Sequence, residues 1–207
     1  MILTRVLPGP AESLDLDDPA SRERLLELYS PPERAWVRLN LVASISGSAA
    51  GTDGTSETLT SPSDRRILGV IRELSDVVVV GAASVRAEGY RVPQRSRLAV
   101  VTASGDLSGH RLAPDDLSRV IVLCAASASG RARASLPGAK VITVVADGDR
   151  IASAAILAAL AEVGLASVVC EGGPGLAAQF IQAGLVDELC LTTSPIVGDV
   201  RLPILSG

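Results

Sequence analysis

The chain has 207 residues, 19 Lys plus Arg against 23 Asp plus Glu for a formal charge of −4, 47% hydrophobic and 20% charged residues. That balance builds a soluble core and excludes a disordered or collagen-like chain, and it lacks the basic footprint of a nucleic-acid binder. The length fits one domain, or at most two small ones. His110 is the one histidine, which excludes two-histidine zinc hydrolases and gives no reason to expect a metal.

Residues 1–33 carry Pro8, Pro10, Pro19, Pro31 and Pro32 and read as an arm with one short helix over 21–29, for which Ser21 is the candidate cap. The arm is expected to pack on the main body or on a second subunit. A strand over 36–44 follows, then a Gly/Ser/Thr-rich loop over 47–60. The next helix spans 63–74, with Ser61 or Ser63 as cap and Ile67, Leu68, Val70, Ile71 and Leu74 as its buried stripe. The run 76–81 is too short and too β-branched for a helix and reads as a strand buried on both faces.

Three more short strands are expected over 98–102, 120–124 and 141–145, with the Ala/Ser/Arg-rich stretch 125–135 as a surface connection. A helix over 152–163, a strand over 167–170, a helix over 176–183 and a strand over 188–193 complete the pattern. The apolar run 151–169 is interrupted by Glu162 and Gly164, so it reads as a helix entering a buried strand and not as a membrane span. Continuous apolar strands separated by helices predict an α/β fold with a mainly parallel central sheet covered on both faces. Cys124, Cys170 and Cys190 form no C-x-x-C, and each ends an apolar run. They read as small buried hydrophobes of a protein in a reducing cytoplasm.

The sharpest local signal is Cys170-Glu171-Gly172-Gly173-Pro174-Gly175-Leu176. A buried strand ends in glycines and a helix begins. Such a turn lets a ligand approach the backbone, and free N–H groups at the helix start favour phosphate. Glu171 falls at the carboxyl end of a strand, where crevices form in α/β sheets. A tight turn with a solvated Glu accounts for the same residues. A second segment, Gly81-Ala82-Ala83-Ser84-Val85-Arg86, again follows a buried strand. It offers room for a flat ligand, a hydroxyl, and a guanidinium able to pair with phosphate; a solvated loop is the simpler account of Arg86 and Glu88. In a third segment, at the start of the 63–74 helix, Ser61, Ser63 and Arg65 suit either an anionic substrate or ordinary capping. Thr102 and Ser104 follow another strand and suit a ribose, a 2′-phosphate or a plain turn.

These pieces, in their order, resemble the reductase domain of riboflavin biosynthesis, the RibD C-terminal domain family. They are Asn40-Leu41-Val42-Ala43-Ser44-Ile45-Ser46-Gly47, Ser63-Asp64-Arg65, the 74–81 run, Ser84-Val85-Arg86-Ala87-Glu88-Gly89-Tyr90, Glu171-Gly172-Gly173-Pro174-Gly175-Leu176, and Gly184-Leu185-Val186-Asp187-Glu188-Leu189 with Pro195 and Gly198. The resemblance spans residues 36 to 198 and is to the stand-alone type; the H-x-E and P-C-x-x-C of a zinc deaminase half are absent from the sequence.

The resemblance implies a three-layer dihydrofolate reductase-like fold over 34–207, NADPH as cofactor, a small heterocyclic substrate, no nucleic-acid or membrane partner, and a homodimer. By position, Gly81, Ala82, Ser84, Thr102, Ser104, Gly172, Gly173, Gly175 and Leu176 would contact NADPH. Asn40, Ser44, Ser61, Arg65 and Arg86 would face the substrate, and Glu171 would anchor it or supply a proton. The leading reaction is reduction of a phosphoribosylamino-pyrimidine. Dihydrofolate reduction and non-catalytic nucleotide binding are the alternatives. Two departures stand out: Ser46 replaces the family's frequent Asp, and the closing strands the family adds after Pro195 and Gly198 are not found before Gly207; a sheet ending there would leave an unprotected edge, so either those strands are missing from this sequence or something else covers the edge.

Overall fold

The computed structural model describes residues 1–206. Seven strands form one sheet in which every pairing is parallel, in the order β11-β3-β10-β4-β5-β6-β7. They are β3 (Trp36–Ser44), β4 (Val77–Gly81), β5 (Arg97–Val101), β6 (Val120–Ala125), β7 (Lys140–Val144), β10 (Ser167–Gly172) and β11 (Glu188–Ser194). Two small hairpins, β1 (Ile2–Arg5) with β2 (Glu12–Asp15) and β8 (Ala146–Asp147) with β9 (Arg150–Ile151), lie outside it. Their strands are too short to leave a period in the sequence, and they were not expected.

Both faces of the sheet are covered, as β4 requires: Val77, Val78, Val79 and Val80 are all fully buried. On one side Val78 and Val80 pack with Ile71 of α2 (Pro62–Glu73), Val85 of α3 (Ala82–Glu88) and Ala132 of α4 (Ser129–Ser135). On the other, Val77 and Val79 meet Ile156 and Leu160 of α5 (Ser153–Ala161) and Phe180 of α6 (Pro174–Gln182). The α/β expectation therefore holds, and the sheet is wholly parallel among the described residues.

Several details differ from the sequence reading. Helix α1 (Pro19–Tyr29) begins earlier than expected: Asp18, not Ser21, caps it by accepting from Ala20 N at 2.9 Å, with Pro19 just inside. Ser21 is buried instead. The arm docks on α2 through Leu14, Leu16 and Leu25 against Val70. The segment after β4 is a helix, α3, closed by Gly89 in the left-handed conformation. It buries only Ala82 and Val85, too few positions to announce a helix. The 125–135 stretch is not a plain surface connection, because Ala128 and Ala132 are buried core members. Cys124 and Cys170 are buried as expected, whereas Cys190 is only half-buried.

Arg38, buried in β3, joins β11 and the arm. The Arg38 side chain, 3% exposed, donates to Glu188 Oε2 at 2.6 and 2.9 Å and to the Tyr29 carbonyl at 2.7 Å. Trp36 Nε1 donates to the same Glu188 oxygen at 2.9 Å. Burial works against charge on Glu188, but the bonds from Arg38 and Trp36 outweigh it and hold its carboxyl below the usual range. Strand β11 forms the sheet edge, with Leu189 and Leu191 about half exposed at 53% and 50%. None of the helices in the described residues is long and apolar enough to cross a membrane.

Candidate active site

A parallel sheet brings all its carboxyl ends to one edge. Strand β10 is inserted between β3 and β4, so the end of β10 stands beside the ends of both. There the ladder is irregular: Cys170 pairs with Val79, Gly172 pairs with Val80, and Glu171 is the extra residue between them. A bulge of this kind re-aims a side chain. Glu171 faces a cavity of about 660 Å³ lined by β3, α2, the 47–60 loop, the end of α3, Gly173 and Pro174, and Leu202 and Ile204.

Glu171 is held by two other elements. Arg72 Nε donates to Oε1 and a second Arg72 nitrogen to Oε2, both at 2.7 Å, while the Tyr90 hydroxyl donates to Oε2. The Arg72 guanidinium also sits over the Tyr90 ring, 5.4 Å from its centroid. The Glu171 side chain is 7% exposed. Burial opposes charge on Arg72, yet its bonds to Glu171 more than offset this, and its pKa lies above the ordinary value. Helix geometry explains how Arg72 arrives. Arg65, Leu68, Gly69 and Arg72 fall at i, i+3, i+4 and i+7 and all line the cavity. The adjacent stripe of Val70 and Ile71 is buried. Leu68, read from sequence as part of the buried stripe, lies on the cavity side.

The other carboxylates on the wall have local partners. Glu57 pairs with Arg65 at 2.6 Å, Glu88 accepts from the backbone N and hydroxyl of Ser56, and Asp64 accepts from Thr60 and Thr192.

Beside Glu171 the backbone forms a bare shelf. Gly172 has φ +87°, a conformation that disfavours side chains. A Cβ on Gly81 would stand 3.8 Å from Gly173 N and 3.9 Å from Gly172 O, so two main-chain turns meet with no side chain between them. A Cβ on Gly173 would lie 3.0 Å from Ser84 Oγ. These are the features of a cradle that an added side chain would fill, and they fit a dinucleotide approaching main-chain N–H groups.

Of the residues singled out from sequence, Asn40, Arg65, Ser84, Glu171 and Gly173 line the cavity together. Gly81, Ala82 and Gly172 lie at the adjoining strand ends. Gly175 is at the exposed start of α6, where a Cβ would come 3.5 Å from the Ser206 carbonyl. Leu176 packs against the core beneath α6. Thr102 is buried beyond β5, its hydroxyl accepting from Gly105 N at 3.2 Å, and Ser104 is exposed beside it.

Three positions expected to face substrate are otherwise engaged and are not among the cavity-lining residues. Ser44 is buried and accepts from Ser48 N at 3.0 Å, Ser61 caps α2 by accepting from Asp64 N at 3.2 Å, and Arg86 donates to the Asp106 carbonyl at 2.9 Å. Ser46, standing where the family often has Asp, accepts from Gly198 N at 3.0 Å. Sequence reasoning passed over Arg72 and Tyr90 as site residues; the available signal was the Arg65–Gly69–Arg72 spacing on the non-core face of α2.

Comparison with known proteins agrees with this architecture. The model of the RibD C-terminal domain matches residues 35–205. Riboflavin biosynthesis protein RibD of Bacillus amyloliquefaciens is 29% identical over 184 residues, covering 83% of this chain and 49% of the relative. RibD of Mycobacterium tuberculosis is 29% identical over 169 residues, covering 80% of this chain and 43% of the relative. The chain thus spans about half the length of these curated relatives.

Among solved structures, a pyrimidine reductase-like protein from Corynebacterium diphtheriae superposes with a TM-score of 0.68 at 27% identity, over 84% of this chain and 80% of that one. The deaminase/reductase of Thermotoga maritima gives 0.66 at 20% identity, over 89% of this chain and 52% of that one. The latter is a likeness of fold alone. The three-layer dihydrofolate reductase-like fold implied by the motif order is therefore present. With its motifs in family order, its parallel sheet and its match from residue 35 to 205, the chain belongs to the RibD C-terminal domain family.

Proposed function

We propose that this chain is an NADPH-dependent reductase of a pyrimidine- or pterin-like heterocycle, with 5-amino-6-(5-phosphoribosylamino)uracil as the leading substrate. One observation carries the reading: Glu171, bulged at the end of β10, opens into the 660 Å³ cavity directly beside the glycine shelf. A polar anchor for a ring and a side-chain-free bed for a dinucleotide thus adjoin. The C. diphtheriae structure is described as pyrimidine reductase-like, and the T. maritima protein as a deaminase and 5-amino-6-(5-phosphoribosylamino)uracil reductase.

In this reading Gly81, Ser84, Gly172, Gly173 and the start of α6 hold the dinucleotide, with Thr102 and Ser104 toward its adenosine end. NADPH, when bound, supplies the hydride. The protein contributes placement. Glu171 accepts hydrogen bonds from the heterocycle, Asn40 and Arg65 border it, and Leu202 and Ile204 close the apolar side and limit water. A carboxylate engaged by both arms of a guanidinium is an acceptor, which favours anchoring over proton supply for Glu171; water then provides the proton.

The reading extends to a cytoplasmic homodimer. The half-exposed Leu189 and Leu191 support association with a second copy, and light scattering tests it. The activity is tested by following nicotinamide absorbance with 5-amino-6-(5-phosphoribosylamino)uracil and with dihydrofolate in turn. NADPH oxidation with the aminouracil is the expected result. Oxidation only with dihydrofolate reassigns the substrate, and tight NADPH binding without turnover on either replaces the enzyme with a binding protein.

A further inference from the structure

Three elements distant in sequence converge on one carboxylate. Arg72 comes from the last turn of α2, Tyr90 from the segment after α3, and Glu171 from the bulge in β10. We propose that Arg72 and Tyr90 are positioning residues that act only through Glu171, fixing its carboxylate as an ionised acceptor with one direction left open for an N–H donor of the substrate ring. The proposal rests on the reductase reading and adds the device that sets the orientation of its anchor.

The argument is one of counting and geometry. An ionised carboxylate offers about four acceptor sites. Arg72 takes one on each oxygen and Tyr90 takes a second on Oε2, so the remaining site is on Oε1. Two parallel bonds from a planar fork fix the carboxylate plane, which a lysine cannot do. The Tyr90 ring in turn backs the guanidinium at 5.4 Å, so Tyr90 steadies both partners. At 7% exposure, water contributes little to holding Glu171 in place. The result selects for ring substrates carrying an N–H donor, a property shared by aminouracils and pterins, and selects against rings with only acceptors on that edge.

The test is a double-mutant cycle on the full chain, with kcat and KM measured for the aminouracil and for dihydrofolate at saturating NADPH, and the KM for NADPH measured at saturating aminouracil. Arg72→Gln should lower kcat/KM for the heterocycle about ten- to a hundredfold, the range expected for coupled contacting groups, and leave the KM for NADPH unchanged. In the Glu171→Gln background the same change should have no further effect. Arg72→Lys should recover part of the loss, and Tyr90→Phe, which keeps the ring, should lose less than Arg72→Gln. Additive losses in the two backgrounds, a raised KM for NADPH, or full activity of Arg72→Gln would overturn the proposal.

If Arg72→Gln does not fold, Arg72→Lys and Tyr90→Phe are run through the same cycle, since each keeps most of the packing. Wild-type protein that oxidises no NADPH with either compound overturns the reductase reading separately. The cycle is then read from calorimetric binding of the aminouracil, and absence of binding overturns both.

Discussion

Arg72 Nε and Glu171 Oε1 stand 2.7 Å apart although 99 positions separate the two residues in the chain. The contact exists because β10 returns from the far side of the sheet to lie between β3 and β4, and because the end of α2 projects over that strand. Glu171→Gln keeps the shape of the side chain and removes its charge. Turnover should fall by about a hundredfold or more, within the range for loss of a charged group bonded to substrate, while NADPH affinity stays near that of the wild type. Steady-state kinetics together with a fluorescence titration of NADPH separate the two. Unchanged turnover would remove Glu171 from the mechanism.

Gly173→Val addresses the shelf. The new Cβ would lie 3.0 Å from Ser84 Oγ and fill space beside the meeting of two main-chain turns. NADPH should bind about tenfold more weakly, a loss of about 1.4 kcal/mol. An unaltered dissociation constant in a folded variant would mean that this turn does not cradle the dinucleotide.

Much of this arrangement is legible in the sequence, for physical reasons. Strand β4 is read easily because Val77 to Val80 are apolar on both faces, and only burial between two layers makes such a run useful. Glu171 is conspicuous because a buried strand breaks there into Gly-Gly-Pro. Helix α3 is not legible: seven residues with two buried positions leave no measurable period. Tyr90 is invisible as a site residue, and Arg72 shows only through its spacing with Arg65 and Gly69, because tertiary topology brings both to Glu171. Arg38 likewise owes its burial to tertiary structure, since α1 and β11 supply the partners that enclose it.

The Arg38–Glu188 pair predicts how stability depends on pH. The folded carboxyl of Glu188 sits below its ordinary value, so its contribution is fully present above the unfolded value, about 4.3, and is lost as pH falls through the folded value. Glu188→Gln should cost about 2 kcal/mol at neutral pH, because it leaves the Arg38 charge buried and poorly matched. The gap between variant and wild type should close in acid. Urea titrations at several pH values report this, and a gap independent of pH would exclude the pair as its source.

The thiols give a prediction about accessibility. Burial pushes the Cys170 thiol up to about 12; burial, with Glu188 adding to it, takes Cys190 up to about 12; burial also raises Cys124. Thiolate is the reactive form. Native protein at pH 8 should react with Ellman's reagent slowly at Cys190 and scarcely at Cys124 and Cys170, and all three should react in denaturant. Rapid labelling of Cys170 in the native state would contradict its burial under α6.

The position of β10 also governs how the molecule is made. Strand β3 pairs only with β10 and β11, both of which follow it late in the chain. During synthesis β4 to β7 can assemble from neighbours in sequence, whereas the earliest strand of the sheet waits as an unattached apolar ribbon until residue 172 has emerged. Closing that gap joins Ser167 to Trp36, segments far apart in the chain, and carries a large loop-closure entropy. Refolding rates should therefore respond to core substitutions in β10 more than to equivalent ones in β7, which makes Ser167–Gly172 both the keystone of assembly and the bearer of the residue on which the chemistry turns.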